Sequence, residues 1–153
     1  MERTLVILKP CTIARGLIGK VIARFEQRGL KIAGMKMIQL DEAVLREHYA
    51  HLTDRPFFPM ILDSMMAQPV IVMCVEGYKA IEVVRAMTGA TNCTKAAPGT
   101  IRGDFGISGQ ENIVHASDSP ENAAIELKRF FKDEEIYDYN LPTVQFINAP
   151  DEL

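Results

Sequence analysis

Few cysteines, no long apolar run and no block of one charge are the first facts of this 153-residue chain. The three cysteines, Cys11, Cys74 and Cys93, are odd in number and far apart. They form no CxxC pair, which excludes a disulfide framework and a cysteine-based zinc site and points to a reducing, cytoplasmic setting. No apolar stretch approaches the ~18 residues of a membrane span, so no membrane association is expected. Met1-Glu2-Arg3-Thr4 runs almost at once into a strand pattern, leaving no room for a signal peptide. Net charge is −3 and no Lys/Arg block exists, so nucleic acid is not an expected partner. GxxxxGK[ST] and GxGxxG are both missing, which excludes a P-loop and a Rossmann site. There is no internal repeat, low-complexity tract or linker, so residues 1–153 read as one domain. A chain of this length can bury roughly 70% of its unfolded surface.

What is present has regular punctuation. Leu5-Val6-Ile7-Leu8 is a short apolar run closed by Lys9-Pro10, a buried strand that leaves Lys9 at its end. Leu17, Ile18, Val21, Ile22 and Phe25 recur at helical spacing over about 14 to 28, with Gly29 suited to a left-handed C′ position. Residues 30 to 39 read as a second strand. Asp41 can cap a helix bearing Val44, Leu45, His48, Tyr49 and Leu52. Asp54-Arg55-Pro56-Phe57-Phe58-Pro59 breaks it, and a short helix follows over about 59 to 66. Val70 to Val75 is a third strand, and Ala80, Ile81, Val83, Val84 and Met87 mark a helix stopped near Gly89. Ala90 to Gly109 reads as a long loop, a length that is usually functional or disordered. Asn112 to His115 is a fourth strand. Ser119-Pro120 opens the last helix, with Ala123, Ala124, Leu127, Phe130 and Phe131 as its stripe. After Asp133 the chain reads as turn and extended tail. The order contains βαββαβ. It predicts an α+β, ferredoxin-like sandwich: a four-stranded antiparallel sheet with helices packed largely on one face.

The chemistry centres on His115, delivered by a strand to a polar turn. A nucleophilic histidine must be neutral and held in one orientation. Glu126, two turns into the next helix and off its apolar stripe, can fold back beside the imidazole or lie on the solvated face. Phosphate chemistry needs fixed cations. Lys9 at a strand end, Arg85 near a helix C-terminus and Arg102 between glycines are the candidates, with Thr91 and Asn112 as neutral donors. Each has an ordinary alternative. Arg85 suits a helix C-terminus by itself, and Arg102 could pair with Asp104 on the surface. Phe57, fixed between prolines, can stack on a base or fill the core. Tyr49 can be core with its hydroxyl free.

These residues carry a resemblance. Arg15-Gly16-Leu17-Ile18-Gly19, Asp54-Arg55-Pro56-Phe57-Phe58, Pro98-Gly99-Thr100-Ile101-Arg102-Gly103-Asp104-Phe105 and Asn112-x-x-His115-Ala116-Ser117-Asp118-Ser119 fall in order and at the spacing of the nucleoside diphosphate kinases. The chain resembles that family over roughly residues 3 to 140. The resemblance implies ping-pong transfer of the γ-phosphate of ATP, GTP or another (deoxy)nucleoside triphosphate to a nucleoside diphosphate through a phosphohistidine at His115. It implies that Lys9, Tyr49, Arg85, Thr91, Arg102 and Asn112 contact phosphate or ribose, that Phe57 stacks on the base, and that Ser117 and Glu126 support the histidine. It implies Mg²⁺ carried by the nucleotide near Asp118 and no metal held by the protein. It also implies a homo-oligomer, a hexamer in preference to a tetramer. The competing reading is a ferredoxin-like regulatory module that binds nucleotides with little transfer. Several positions depart from the family: Cys11-Thr12 for Asp-Gly, Thr91-Asn92-Cys93 for Thr-Asn-Pro, and Ala116 for glycine beside the histidine. Gly109 replaces an apolar residue that helps hold the base, and the tail after Tyr139 matches poorly.

Overall fold

A computed structural model describes residues 1–153. Four strands form one antiparallel sheet: β1 (Glu2–Leu8), β2 (Lys31–Ile38), β3 (Val70–Gly77) and β4 (Val114–Ala116), in the spatial order β2-β3-β1-β4. That order is the ferredoxin-like one, as the βαββαβ pattern predicts. β1 is central. Val6 faces Met73 on one side and Ala116 on the other, and Ile7 lies opposite His115.

Alternation along the central strands builds two cores. Val6 and Leu8 of β1, with Ile71, Met73 and Val75 of β3, join Leu17, Val21, Phe25, Val84, Ile101 and Ile113 on one face. Leu5 and Ile7, with Val70, Val72 and Cys74, join Leu45, Phe58, Leu62, Met65, Leu127 and Phe130 on the other. A strand with both faces apolar must be covered on both. Helices α2 (Ile18–Gln27), α5 (Ala80–Thr88) and α6 (Ile101–Phe105) therefore lie on the first face. Helices α3 (Glu42–His48), α4 (Phe58–Met66) and α7 (Pro120–Phe130) lie on the second. This corrects the expectation of helices largely on one face. The unbroken apolar runs at 5–8 and 70–75 already carried the information.

Local differences also have causes. The first helical stretch is two pieces, a short helix α1 (Pro10–Ala14) started by the proline and then α2. Gly16, at φ +64°, turns the chain between them. Gly29, at φ +89°, ends α2 as expected. Asp41 caps α3 by accepting from the Val44 amide at 2.9 Å, and Ser119 caps α7 by accepting from the Asn122 amide at 3.1 Å.

The 90–109 segment is not bare loop. It holds a 3₁₀ turn (Cys93–Lys95) and α6, whose cap Thr100 accepts from the Gly103 amide. Asp104 pairs there with Arg24 at 2.9 Å and accepts from the Gly99 amide at 2.8 Å. Gly103 packs directly on the Ala97 carbonyl and leaves no space for a side chain. The tail likewise forms short turns and a helix α8 (Val144–Ile147). It is tied to β2 by the Tyr137 amide on the Ala33 carbonyl and the Tyr139 hydroxyl on the Ile32 carbonyl, both 2.8 Å.

Candidate active site

β4 is shorter than the apolar pattern suggests because Ile113 has φ +72°. The Val114 amide donates back to the Asn112 carbonyl at 2.8 Å, closing a strained γ-turn around a β-branched residue. Asn112 and Ile113 are therefore outside the strand. The turn is held from below: the Ile113 carbonyl accepts from the Lys9 amide at 2.9 Å and from the Thr12 hydroxyl at 2.6 Å. One residue pair later, His115 emerges. Strain held this firmly next to a polar cluster is characteristic of functional sites.

The His115 Nε2 lies 3.0 Å from Glu126 Oε2, and the Ser117 hydroxyl donates to that same oxygen at 2.6 Å. Glu126 thus folds back on the imidazole, and the solvated-face alternative fails. Burial raises the carboxyl, but the hydrogen bond and charge of His115, and the Ser117 hydroxyl, outweigh it and hold Glu126 ionised well below the usual range. An ionised carboxylate can only accept, so Nε2 carries a proton, and in the neutral ring the lone pair is then on Nδ1.

A cavity of about 300 Å³ opens over this ring, lined by Lys9, Tyr49, Arg85, Thr91, Arg102, Asn112, His115, Asp118 and Glu126. Burial, and then the charge of Arg102, bring the Lys9 ammonium down to about 8, still mostly charged at neutral pH. Burial pushes the Tyr49 hydroxyl up to about 12, so it is a neutral donor. Arg85 is exposed in the last turn of α5, within the same cavity. Arg102 is 4% exposed and does not pair with Asp104. Its guanidinium donates to the carbonyls of Asn112 (3.1 Å), Gly89 (2.9 Å) and Val114 (2.6 Å). It clamps the strained turn and still lines the cavity.

Asn112 behaves differently from a simple donor. Its amide donates to the Thr91 carbonyl at 2.9 Å and the Gly109 carbonyl at 3.2 Å, and its buried Oδ1 has no partner. The free group at Asn112 is therefore an acceptor. A buried acceptor left open at a cavity wall is costly unless a ligand or a water supplies a donor. An adjoining cavity of about 280 Å³ shares Lys9, Tyr49, Thr91 and Asn112 and continues past Phe57, Leu52, Ile61 and Gly109. Phe57 is 41% exposed at its wall and not a core residue.

His48 and Arg129 are among the cavity residues that escaped the sequence reading, with His51 and Asn122. His48 sat on an apolar helical stripe and looked like core. Arg129 sat one turn past Glu126, where its spacing on the same helix face was the available signal.

Comparisons place these features among known proteins. The family model for nucleoside diphosphate kinase matches residues 2–136. The nucleoside diphosphate kinase of Parabacteroides distasonis is 62% identical over 153 residues, covering 100% of both chains. That of Roseiflexus castenholzii is 52% identical over 147 residues, covering 96% of this chain and 99% of the relative. A halophilic nucleoside diphosphate kinase from Halobacterium salinarum, solved in complex with CDP, superposes with a TM-score of 0.94 at 39% identity. It covers 97% of this chain and 99% of that one.

Proposed function

The chain belongs to the nucleoside diphosphate kinase family and is an enzyme of that kind, and from this we propose that it works by ping-pong transfer through a phosphohistidine on His115 Nδ1. One observation carries the reading. The proton on Nε2 is committed to Glu126, so the lone pair of Nδ1 is the group left to attack. A module that only binds nucleotides needs no imidazole fixed in this way, and the seating of Glu126 favours transfer over binding.

In the first half-reaction Nδ1 attacks the γ-phosphorus of a nucleoside triphosphate. The Nδ1–P bond forms, the bond to the β,γ-bridging oxygen breaks, and the diphosphate leaves with that electron pair. The imidazole becomes cationic, and Glu126, held by Ser117, stabilises it. A terminal oxygen of an acceptor diphosphate then attacks phosphorus and the Nδ1–P bond breaks. Lys9, Arg85 and Arg102 supply the positive charge that the transferring phosphoryl group needs, and Tyr49 and Thr91 add hydroxyl donors. The open Asn112 Oδ1 suits a ribose hydroxyl. Phe57 offers a face to any base, which supports broad nucleotide use; the CDP held by the Halobacterium salinarum relative fits the same view.

Mg²⁺ enters with the nucleotide in this reading. Asp118 is exposed at the cavity and uses one oxygen on the Asn122 amide at 2.6 Å, leaving the other as the hard ligand such an ion prefers. The ion supplies charge neutralisation on the phosphates when bound. A homohexamer in the cytoplasm completes the proposal. Met35 and Met37, exposed on the terminal strand β2, support self-association, which solution mass tests. No helix is long and apolar enough to cross a membrane.

Initial rates with varied donor and acceptor test the mechanism. Parallel double-reciprocal lines are expected, together with inactivity of His115→Ala. Intersecting lines would refute a phosphoenzyme.

A further inference from the structure

His48 ends α3 with its ring 8% exposed. It is boxed by three rings set nearly perpendicular to it: Tyr49 at 4.7 Å, Phe130 at 5.3 Å and the nucleophile His115 at 4.6 Å between centroids. A ring nitrogen of His48 lies within 4.8 Å of ligand atoms on both His115 and Glu126. Arg129 reaches it from α7, one turn beyond Glu126. The Arg129 Nη1 is 3.0 Å from His48 Nδ1, while Arg129 Nε lies 3.1 Å from a Glu47 carboxylate oxygen. The arginine side chain is only 11% exposed.

A guanidinium has donors and no acceptor. Its contact with Nδ1 therefore requires a lone pair there and puts the single proton on Nε2. An imidazolium, with protons on both nitrogens, is incompatible with this geometry. Nε2 is buried and has no protein partner. We propose that Arg129 is a positioning residue: it fixes His48 as the uncharged Nε2–H tautomer against the nucleophile, so that the His115 ring is held between Glu126 and a neutral neighbour. This rests on His115 being the nucleophile.

Loss of the lock has a specific consequence. A His48 free to protonate would place a cation beside His115 and compete for Glu126, the group that keeps the proton of His115 on Nε2. The other charged or titratable groups near His48 are His115 on β4, Glu126 and Arg129 on α7, Glu47 on α3 through Arg129, and Tyr49 and His51 in the turn after α3. Burial first, and then the charge of His115, hold its titration down to about 3; the opposing pull of Glu126 comes next, ahead of the smaller lowering charges of Arg129 and His51. Removing Arg129 removes the donor that excludes the second proton.

The test begins on the unmodified, unphosphorylated protein. Nitrogen NMR of the histidine rings is expected to show His48 as neutral Nε2–H throughout the range in which an ordinary histidine, near pH 6.5, titrates. A neutral Nδ1–H form, or titration near 6.5, would overturn the proposal even if no variant folds. The second arm compares Arg129→Leu with Arg129→Lys, which restores a donor without an acceptor. For Arg129→Leu, kcat/KM should fall about tenfold more at acid than at alkaline pH, with nucleotide KM within roughly twofold. Arg129→Lys should recover most of the acid-side loss. A pH profile superposable on wild type, whatever the change in Tm, would overturn the proposal. So would a rise confined to KM, because Arg129 would then be a substrate contact. Labelling of His115 in the unmodified protein separates the outcomes. Absence of label there refutes the nucleophile itself, whereas label with an unlocked His48 refutes only the lock.

Discussion

Replacing Arg102 by lysine keeps a positive charge in the cavity and removes a three-way clamp. The guanidinium donates to the carbonyls of Asn112, Gly89 and Val114 at 3.1, 2.9 and 2.6 Å from a side chain 4% exposed. A hydrogen bond from a charged donor contributes about 1.5–3 kcal/mol, and a buried carbonyl left without one costs about 1–3 kcal/mol. A compact ammonium cannot span three carbonyls that face a planar fork from different sides. It can keep about one of them, so Arg102→Lys should lose about 3 kcal/mol of stability, the lower end for two such bonds. For a chain of this size that lowers Tm by roughly 6–12 °C. Urea unfolding at fixed protein concentration, with the slope unchanged, measures the loss. The same variant should lower kcat/KM about ten- to hundredfold, because the freed carbonyls flank the γ-turn that presents His115. Wild-type stability in Arg102→Lys, with turnover alone reduced, would refute the clamp and leave Arg102 as a phosphate contact only.

Three further outcomes follow from the geometry. Glu126→Gln should cut kcat about ten- to hundredfold with nucleotide KM within about threefold, because the amide can offer His115 a donor where an acceptor is needed; an unchanged kcat in steady-state assays would contradict the role of Glu126. Gly109→Val should lower nucleotide KM about two- to fivefold, since an added Cβ meets only the Asn92 side chain, 3.7 Å or more away, and supplies apolar wall beside Phe57; unchanged KM would show that the base does not lie there. The native state excludes a proton from His48 down to about 3, whereas the unfolded chain takes one up near 6.5, so the contribution of His48 is whole above about pH 6.5 and is lost as pH falls below it. Denaturant unfolding should therefore show a loss of about 2 kcal/mol between pH 7 and pH 5 that His48→Phe removes; an equal slope in that variant would assign the acid sensitivity elsewhere.

Much of this was legible in the chain itself. Pro10, Gly29, Asp41, Ser119 and Pro120 marked element ends by their backbone chemistry, and the ordered segments from Arg15 to Ser119 identified the family. What stayed hidden depended on long-range contact. Periodicity could not say whether Glu126 faced water or His115, because both fit a position beside an apolar stripe; the sheet pairing of Ile7 with His115 and the packing of α7 decide it. The positive φ of Ile113 defeats propensity, since a β-branched residue argues for strand until the turn beneath it is built. Arg102 looked like a free loop cation because its acceptors are backbone carbonyls at three separate positions, which leave no trace in side-chain patterning. His48 looked like core for the same reason that it is useful, being buried against the ring it contacts.

The most direct test of His115 Nδ1 as the nucleophile is to isolate the protein after brief incubation with γ-labelled ATP and Mg²⁺ and to identify the bond that holds the label. The expected product is an acid-labile, base-stable phosphohistidine on Nδ1 of His115, shown by phosphorus–proton NMR correlation and discharged on adding a nucleoside diphosphate. Label on Nε2, label persisting in His115→Ala, or no label at all in a protein active in transfer would contradict it.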